Sequence, residues 1–246
     1  MAKYTIVVCD HIHQSGLDLL SKDIEVEMLN LASLPKEELK KELYRADVAI
    51  TRSSTDVDMS FLESATKLRA VVRAGVGVDN VDIENSSKKG VVVMNVPTAN
   101  TIAAVELTCA HILNTIRRFP EANAQLKVER KWKREDWYGT ELKDKKLGII
   151  GFGNIGSRVG KRMKAFEMEV IAYDPYINPT KATDLGIGYT RNFDEILSCD
   201  IITIHTPKNK ETINIINKEQ ITKMKDGVIL INCARGGLYN EEALYE

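Results

Sequence analysis

Short apolar runs alternate with amphipathic stretches along most of the chain. Runs of about four to six apolar residues, apolar on both faces, are typical of parallel sheets that helices cover on both sides. The predicted strands are Thr5–Cys9, Val26–Leu29, Val48–Thr51, Leu68–Arg73, Val91–Asn95, Lys146–Ile150, Glu169–Tyr173, Asp200–His205 and Val228–Cys233. The pattern therefore predicts an α/β protein with two parallel-sheet domains.

A long helix is predicted where the two strand series meet, over roughly Asn100–Phe119. Asn100 is a suitable N-cap, and the apolar residues recur at spacings of three and four. Additional leucines and alanines widen this stripe, so we expect burial on two sides of the helix. The domain boundary is placed here, giving domains of residues 1–98 and 99–246. The stripe consists of Ile102, Val105, Cys109, Ile112 and Ile116.

A dense charge run follows the long helix, over Gln125–Tyr138, and contains both tryptophans. Basic and aromatic residues together suggest nucleic-acid binding, but interleaved acids dilute the positive field. We expect a solvated loop in which Trp132 and Trp137 pack inward.

Composition excludes several classes of partner. Of the 246 residues, 43% are hydrophobic and 28% charged, and the formal net charge is −1, so neither nucleic acid nor an anionic membrane is expected as a partner. No apolar run is long enough to span a bilayer, and the N-terminal segment does not resemble a signal peptide. The cysteines are scattered without metal-ligand spacing, which predicts reduced thiols and a cytoplasmic location.

The strongest local motif is a strand, a glycine-rich turn and a helix, beginning KLGIIGFGNIGSRVG. In such a motif Gly151 permits the tight turn, Gly153 allows a pyrophosphate to approach, and Gly156 allows close helix–strand packing. Asp174 follows the next strand, where an acid can accept hydrogen bonds from an adenosine ribose. Because no arginine follows Asp174, the motif favours NAD over NADP.

Other polar residues also follow predicted strands. His205, Thr206 and Pro207 end one strand of the second series, where ligands bind in open α/β sheets. His205 is expected to line the cofactor site, and acid–base work is the less favoured alternative.

Two turns of the first series have features that suit an anion. Arg52 and Ser53 follow one strand and supply a cation, and Gly75-Val76-Gly77 follows the next and presents bare backbone N–H groups. Together they predict a small anionic substrate.

Three further features carry little chemistry. His11 and His13 resemble a metal pair, but no third ligand is apparent, so no metal is expected. His111 is expected to be packed or capped within the long helix, and Glu106 to make a buried polar contact.

Taken together, these motifs resemble the D-isomer-specific 2-hydroxyacid dehydrogenases. The resemblance runs along nearly the whole chain and implies a flavodoxin-like substrate domain and an NAD-binding Rossmann domain, with the active site in the cleft. It rests on RAGVGVDNVD, NVPTANTIAAVELTCAHIL, GTELKDKKLGIIGFGNIG, the acid at Asp174, HTP at 205–207 and INCARGG.

The resemblance also implies residue roles. Arg235 would be the catalytic residue that holds the substrate carboxylate and carbonyl oxygen, a bidentate task that suits a guanidinium. Arg52, Ser53, Gly75, Val76 and Asn100 would bind substrate. The implied cofactor-binding residues are Val76, Gly151, Gly153, Asn154, Ile155, Gly156, Asp174, His205, Thr206, Pro207, Cys233, Ala234 and Arg235.

The family completes its site with a glutamate and a histidine that would lie beyond Glu246, so both domains are expected to be truncated and this form of the chain weakly active or inactive. The implied reaction is NAD-dependent oxidation of D-3-phosphoglycerate to 3-phosphohydroxypyruvate, in a homodimer or tetramer. Two alternatives stay open: another D-2-hydroxy acid, such as glycerate or lactate, and a non-catalytic NAD(H)-sensing protein.

Overall fold

The computed structural model describes residues 3–246. The chain forms two compact units, Met1–Asn100 and Thr101–Glu246. Each contains one five-stranded sheet, and each is described by itself below.

The N-terminal unit is a doubly wound sheet in the order β2-β1-β3-β4-β5, with every neighbouring pair parallel. This order is the flavodoxin-like one, with a switch point between β1 and β3. The strands are β1 (Tyr4–Val8), β2 (Val26–Asn30), β3 (Val48–Thr51), β4 (Ala70–Arg73) and β5 (Val92–Asn95). The helices are α1 (Gln14–Leu20), α2 (Lys36–Glu42), α3 (Met59–Ser64) and α4 (Ile83–Lys88).

The sequence specifies the helix starts in this unit. The Asp58 carboxylate accepts from Phe61 N at the start of α3, and the Asp82 carboxylate accepts from Asn85 N at the start of α4. Each cap satisfies an N–H group that has no partner within the helix. The strands bury Val7, Ala49 and Val71 completely, so the helices cover the sheet as the apolar runs predict.

The C-terminal unit is a second parallel sheet, in the order β10-β9-β6-β7-β8. Read from β8 it is the 3-2-1-4-5 order of a Rossmann fold, with the switch point between β6 and β9. The strands are β6 (Lys146–Ile150), β7 (Glu169–Tyr173), β8 (Gly188–Thr190), β9 (Ile201–Ile204) and β10 (Ile229–Asn232). The helices are α5 (Thr101–Arg117), α6 (Phe119–Lys127), α7 (Gly156–Ala165), α8 (Thr180–Thr183), α9 (Phe193–Leu197), α10 (Lys218–Thr222) and α11 (Glu241–Tyr245).

The α/β prediction with two parallel sheets is confirmed, and nine of the ten strands were predicted, with ends that differ by at most two residues. The tenth, β8, was missed. It has the sequence Gly-Tyr-Thr and pairs only along one edge, with β7. A short edge strand needs no continuous apolar run, so periodicity gave no signal for it.

The long helix differs from its prediction in two ways. It ends at Arg117, because Arg118 adopts a left-handed conformation with φ of 50° and a second helix starts at Phe119. It is also buried on one side only. Val105 and Ile112 are buried, whereas Leu107 is 52% exposed.

The two polar residues expected to be buried in this helix are in fact exposed. Both Glu106 and His111 lie on its solvent face, so the predicted buried contact and packed histidine were wrong. The buried stripe of α5 includes Thr108, whose hydroxyl donates to Ala104 O at 2.8 Å. Because this hydroxyl is satisfied within the helix, a polar residue occupies the buried face without a partner from another element.

The prediction that both tryptophans pack inward holds for one of them. Trp137 is partly buried, donates from Nε1 to Gln125 Oε1 at 2.7 Å and lies under the Arg118 guanidinium, 4.7 Å from the ring centroid. Trp132 is 77% exposed, so its inward packing was wrong. The charged segment begins in the last turn of α6 and includes a short 3-10 helix, Arg134–Trp137, none of whose side chains is fully buried.

Within residues 3–246 no helix is long and apolar enough to cross a membrane. In the same residues no three histidine, cysteine or acidic side chains are grouped closely enough to hold a metal ion.

Candidate functional site

Four predicted site segments leave the C-terminal sheet at one edge. Strand register pairs Ile150 with both Tyr173 and Ile204, and Ile204 with Asn232, so these residues form one row across the sheet. The residues that follow this row are Gly151, Asp174, His205 and Cys233. Parallel strands thus bring the glycine turn, the acid, the HTP segment and the CARGG segment to the same edge.

The glycine turn after β6 is as tight as its sequence predicts. Gly151 has a φ of 88°, and a Cβ there would lie 2.8 Å from His205 O. A Cβ on Gly156 would overlap the Gly151 carbonyl oxygen, whereas a Cβ on Gly153 would have nothing within 4 Å. Gly151 and Gly156 are therefore required by packing, and Gly153 leaves the surface of the turn open to a ligand.

Two further residues of this turn were predicted to contact the cofactor. Asn154 is exposed, and its carbonyl oxygen accepts from Arg158 Nη1 at 2.8 Å. Ile155 is half-buried against the core below the turn and immediately precedes α7. The backbone N–H groups of this first turn point where an anion can bind.

A cavity of about 270 Å³ opens beside the glycine turn. Asp174 lies in its wall, and its carboxylate is held by two backbone donors, Phe152 N at 2.8 Å and Tyr176 N at 3.0 Å. The remaining acceptor capacity of a carboxylate oriented in this way suits the two hydroxyls of a ribose. The predicted residues that line the cavity are Gly151, Gly153, Asp174, His205, Thr206 and Pro207.

His205 and Thr206 supply the opposite wall. Burial lowers the pKa of His205 to about 4, so the imidazole is neutral at pH 7. One ring nitrogen, Nε2, lies 3.1 Å from Thr203 Oγ1. Thr206 Oγ1 is buried and, within residues 3–246, has no hydrogen-bond partner. A buried hydroxyl without a partner is costly, and a ligand in the cavity can satisfy it. The cavity and its unpartnered hydroxyl fit the adenosine end of a dinucleotide.

The CARGG segment follows β10 at the same edge. Asn232 holds it in a compact turn, since its side chain accepts from Ala234 N at 2.9 Å and donates to Arg235 O at 2.8 Å. Arg235 Nη1 donates to Ala234 O at 2.8 Å. Cys233, Ala234 and Arg235 are each half-buried, so the guanidinium is held partly out of solvent at the sheet edge.

In the N-terminal unit, Arg52 and Ser53 lie in a loop that a buried carboxylate orders. Asp10 is 6% exposed and accepts from Arg52 N, from Thr55 N at 3.2 Å and from Thr55 Oγ1 at 2.8 Å. Asn80 Nδ2 donates to Arg52 O at 2.7 Å and to Thr55 O at 2.6 Å. Arg52 and Ser53 are exposed at the top of this loop, and Arg52 Nη1 donates to His11 O at 3.2 Å.

The second predicted turn of this unit begins beside the first, because Thr51 and Arg73 are register partners. One of its N–H groups is not bare, because Gly75 N donates to Arg73 O at 2.7 Å. The Arg73 guanidinium packs against this turn, so a Cβ on Gly75 would force that flexible side chain to move. The Val76 carbonyl accepts from Asn95 Nδ2 at 2.7 Å.

Arg73 is the cation that sequence reasoning missed at this turn. It is half-buried, and its Nε has no hydrogen-bond partner among residues 3–246. Its place at the end of β4, two residues before Gly75, was a signal in the sequence. The last predicted substrate residue, Asn100, is exposed and lies five residues after β5.

Comparison with known proteins is decisive for the family. A sequence model described as the D-isomer specific 2-hydroxyacid dehydrogenase, NAD binding domain, matches residues 109–246. The chain is also 41% identical to the hydroxypyruvate reductase of Thermotoga maritima over 246 residues, which are 100% of this chain and 79% of that protein. The chain belongs to the D-isomer specific 2-hydroxyacid dehydrogenase family.

Other similarities agree with this family. The D-3-phosphoglycerate dehydrogenase of Archaeoglobus fulgidus is 42% identical over 243 residues, which are 98% of this chain but 45% of that protein. The chain thus spans less than half the length of this relative. Among solved structures, the D-lactate dehydrogenase of Aquifex aeolicus, determined with NAD and lactic acid, superposes with a TM-score of 0.84 at 30% identity, over 98% of this chain and 72% of that one.

The family membership identifies the C-terminal unit as an NAD-binding domain, and NAD(H) is its cofactor. The residues present fit that cofactor, because the open surface at Gly153, the oriented Asp174 carboxylate and the unpartnered Thr206 hydroxyl surround one cavity.

Proposed function

We propose that the chain is part of an NAD-dependent dehydrogenase that oxidises D-3-phosphoglycerate to 3-phosphohydroxypyruvate. The observation that carries the proposal is the Arg235 turn, which follows β10 at the sheet edge where the cofactor cavity opens. The name of the Archaeoglobus fulgidus relative supports this substrate. Such a reaction would belong to serine biosynthesis.

Arg235 is assigned the substrate carboxylate and the oxygen on C2. Oxidation removes a hydride from C2, which NAD would accept when bound, and releases the hydroxyl proton to solvent, so that the hydroxy acid and NAD⁺ become the oxo acid, NADH and H⁺. A guanidinium beside C2 stabilises negative charge on the oxygen and orients the acid through two parallel hydrogen bonds. Because the Asn232 bonds fix the turn, Arg235 is oriented before substrate binds.

The N-terminal unit is assigned the remaining anionic group of the substrate. Arg52 is a cation on a loop fixed by Asp10, and Arg73 is a second cation, behind Gly75. Ser53, Val76 and Asn100 are assigned contacts to the same molecule. A phosphate binds well to arginine, which offers several donors in a plane.

His205 is a poor candidate for accepting the hydroxyl proton. Burial lowers its pKa to about 4, and its Nε2 lies within hydrogen-bond distance of Thr203 Oγ1. An efficient general base has a pKa near the working pH. Its place in the cavity wall instead suits cofactor binding.

The test is NADH formation by this chain with NAD and D-3-phosphoglycerate, together with binding of both ligands by calorimetry. We expect Arg235→Gln to weaken substrate binding and turnover more than it weakens NAD binding. Arg235→Lys keeps the positive charge but cannot make two parallel hydrogen bonds, so its substrate binding and turnover should lie between those of wild type and Arg235→Gln. The proposed activity would be contradicted if wild type and variant bound NAD but neither bound the hydroxy acid nor formed NADH with it.

A second candidate substrate is an unphosphorylated acid, favoured by the similarity to the Thermotoga maritima hydroxypyruvate reductase. Paired measurements with D-glycerate, D-lactate and hydroxypyruvate distinguish the candidates. If Arg52→Gln weakens the phosphorylated acid alone, the phosphate assignment holds; an equal effect on all the acids would favour a carboxylate contact. A non-catalytic NAD(H) sensor would bind cofactor and turn over none of them.

We also propose that the chain assembles into homodimers or tetramers. The α6 region exposes large apolar side chains around one cavity of about 540 Å³, and contiguous exposed apolar surface marks association sites. Phe119 is 62% exposed, Trp132 77% and Tyr138 72%. Light scattering of the chain and of Trp132→Glu tests this, since a charge in a self-associating patch should favour monomers. The four free cysteines fit a reducing compartment, which we propose is the cytoplasm.

A further inference from the structure

The cofactor cavity has a second acid in its wall besides Asp174. Glu211 lines the same cavity and comes from the connection after β9, whereas Asp174 comes from the connection after β7. The Tyr176 hydroxyl donates to the Glu211 carboxylate and so joins the two connections. Neither Glu211 nor Tyr176 was among the residues predicted from sequence.

The backbone of Glu211 is held in a fixed turn. The Asn209 side chain accepts from Glu211 N at 2.9 Å and from Thr212 N at 3.1 Å. The Thr212 hydroxyl donates to Pro207 O at 2.6 Å, and Thr212 is 9% exposed. The segment that follows the HTP residues is therefore ordered. Hydrogen bonds hold Glu211 at two points, its backbone N–H with Asn209 and its carboxylate with Tyr176.

The cavity is negatively charged. Among the described residues that line it there are two carboxylates, Asp174 and Glu211, and no lysine or arginine. His205 adds no positive charge at pH 7, since burial keeps it neutral. Lys208 and Lys210 flank Asn209 in sequence but do not line the cavity.

One cation contacts the glycine turn: Lys181 donates from Nζ to Phe152 O at 3.1 Å, but it is not among the residues that line the cavity. The two lining carboxylates disfavour an additional anionic group on the ribose, and a 2′-phosphate is such a group.

We propose that Glu211, held by Tyr176, is a specificity-determining residue that acts with Asp174 to exclude NADP(H) from the cavity. This inference rests on the cofactor site of the proposed dehydrogenase but not on its substrate. Asp174 accepts hydrogen bonds from the ribose hydroxyls directly, whereas Glu211 acts through its charge and through its hydrogen bond with Tyr176.

If Glu211 acts through its charge, the size of its effect on NADPH binding can be estimated. A carboxylate several ångströms from a 2′-phosphate in a partly solvated cavity changes binding by about three- to tenfold. Because exposed charges are screened within about 8 Å at physiological ionic strength, the effect should shrink as salt is raised. NADH lacks the 2′-phosphate, so its affinity for the chain should hardly depend on Glu211.

The experiment is a titration of the chain with NADH and with NADPH. It gives the ratio of the dissociation constant for NADPH to that for NADH. We expect Glu211→Gln to lower this ratio about three- to tenfold in about 50 mM salt, and clearly less in about 500 mM salt. Tyr176→Phe keeps the carboxylate and should lower the ratio less. Glu219→Gln, which removes an exposed acid of α10 outside the cavity, should leave it unchanged.

The double variant Asp174→Asn with Glu211→Gln should lower the ratio further than either change alone. An unchanged ratio in Glu211→Gln, or an equal change in Glu219→Gln, overturns the role of Glu211. A wild-type chain that binds neither nucleotide overturns the cofactor site and this inference together. Binding of NADH without turnover of any hydroxy acid sinks the proposed activity but leaves this inference standing. Circular dichroism checks that each variant is folded.

Discussion

Buried polar residues order the predicted site loops, and Asp10 is the clearest example. Its carboxylate accepts three hydrogen bonds from the Arg52–Thr55 loop while being almost wholly buried. Without it, the N–H groups of Arg52 and Thr55 and the Thr55 hydroxyl would lose their acceptor. Hydrogen bonds to a charged group, and donors left buried without a partner, each carry large costs.

We therefore expect Asp10→Ala to lower the free energy of unfolding by about 2–4 kcal/mol. Urea denaturation followed by far-ultraviolet circular dichroism measures this. Asp18→Ala is the matched control, because Asp18 is an exposed acid on α1 whose carboxylate accepts from Gln14 Nε2, four residues earlier. It should cost less than about 0.5 kcal/mol. Equal losses in the two variants would show that Asp10 has no special role.

His205 makes a prediction about pH. Its pKa is lowered by burial from 6.5 to about 4 in the folded chain, so between these values the unfolded state binds more protons than the folded state. Stability must therefore fall as pH is lowered through this window. Between pH 7.5 and pH 5 this one histidine should account for a loss of about 2 kcal/mol.

The measurement is urea unfolding at both pH values for wild type, His205→Gln and His111→Gln. We expect His205→Gln to lose less stability on acidification than wild type, by about 2 kcal/mol. His111 is exposed on α5 and its replacement should follow wild type. Parallel behaviour of all three proteins would mean that His205 titrates in the folded chain as it does in the unfolded one.

At the scale of elements, the glycines between β6 and α7 have different roles: Gly156 is required by packing, whereas Gly153 leaves room for a ligand. A Cβ at position 156 would overlap the Gly151 carbonyl oxygen, which is backbone and cannot move aside cheaply, whereas position 153 is open. We expect Gly156→Ala to lower thermal stability strongly, in the range of severe packing defects above about 3 kcal/mol. Gly153→Ala should melt within a few degrees of wild type but bind NADH at least about tenfold more weakly, because the methyl group obstructs the pyrophosphate.

Thermal denaturation and NADH titration of the same two samples test both halves of this expectation. A Gly153→Ala chain that binds NADH normally would mean that the pyrophosphate does not approach this turn. A Gly156→Ala chain of unchanged stability would mean that the helix shifts away from the strand without cost.

The extent of sequence prediction also differs between elements. Buried strands such as β3, β6 and β7 were predicted to the residue, because burial on both faces requires a continuous apolar run. In each sheet, the position of the predicted site residues followed from the strand order and from their place directly after the strands. Side-chain contacts made between distant segments could not be read in the same way. The Asp10–Thr55, Arg73–Gly75 and Tyr176–Glu211 contacts depend on register and loop conformation.

Helix α5 shows a second limit. Its apolar residues predicted burial on two sides, yet Ile102 is 46% and Leu107 52% exposed. Periodicity identifies which residues share a face, and it does not identify whether another surface covers that face within the same chain.

At the scale of the whole molecule, each compact unit has its own apolar core. One set of buried residues surrounds Phe61 and Leu43 in the N-terminal unit, and another surrounds Leu147, Ile149 and Met163 in the C-terminal unit. Units with separate cores can unfold separately, and a ligand stabilises only the unit to which it binds. The cofactor cavity lies entirely in the C-terminal unit.

The distribution of tryptophan allows this to be measured. Both tryptophans, Trp132 and Trp137, lie in the C-terminal unit, so their fluorescence follows that unit alone, whereas far-ultraviolet circular dichroism follows both. We expect saturating NAD, at about 100 times its dissociation constant, to add about 2.7 kcal/mol to the unfolding free energy reported by fluorescence. The circular dichroism curve should then separate into two transitions, of which only one moves with NAD. If both probes instead gave one coincident transition that moved as a whole, the two units would unfold as a single cooperative body, and NAD binding would stabilise the N-terminal unit as well.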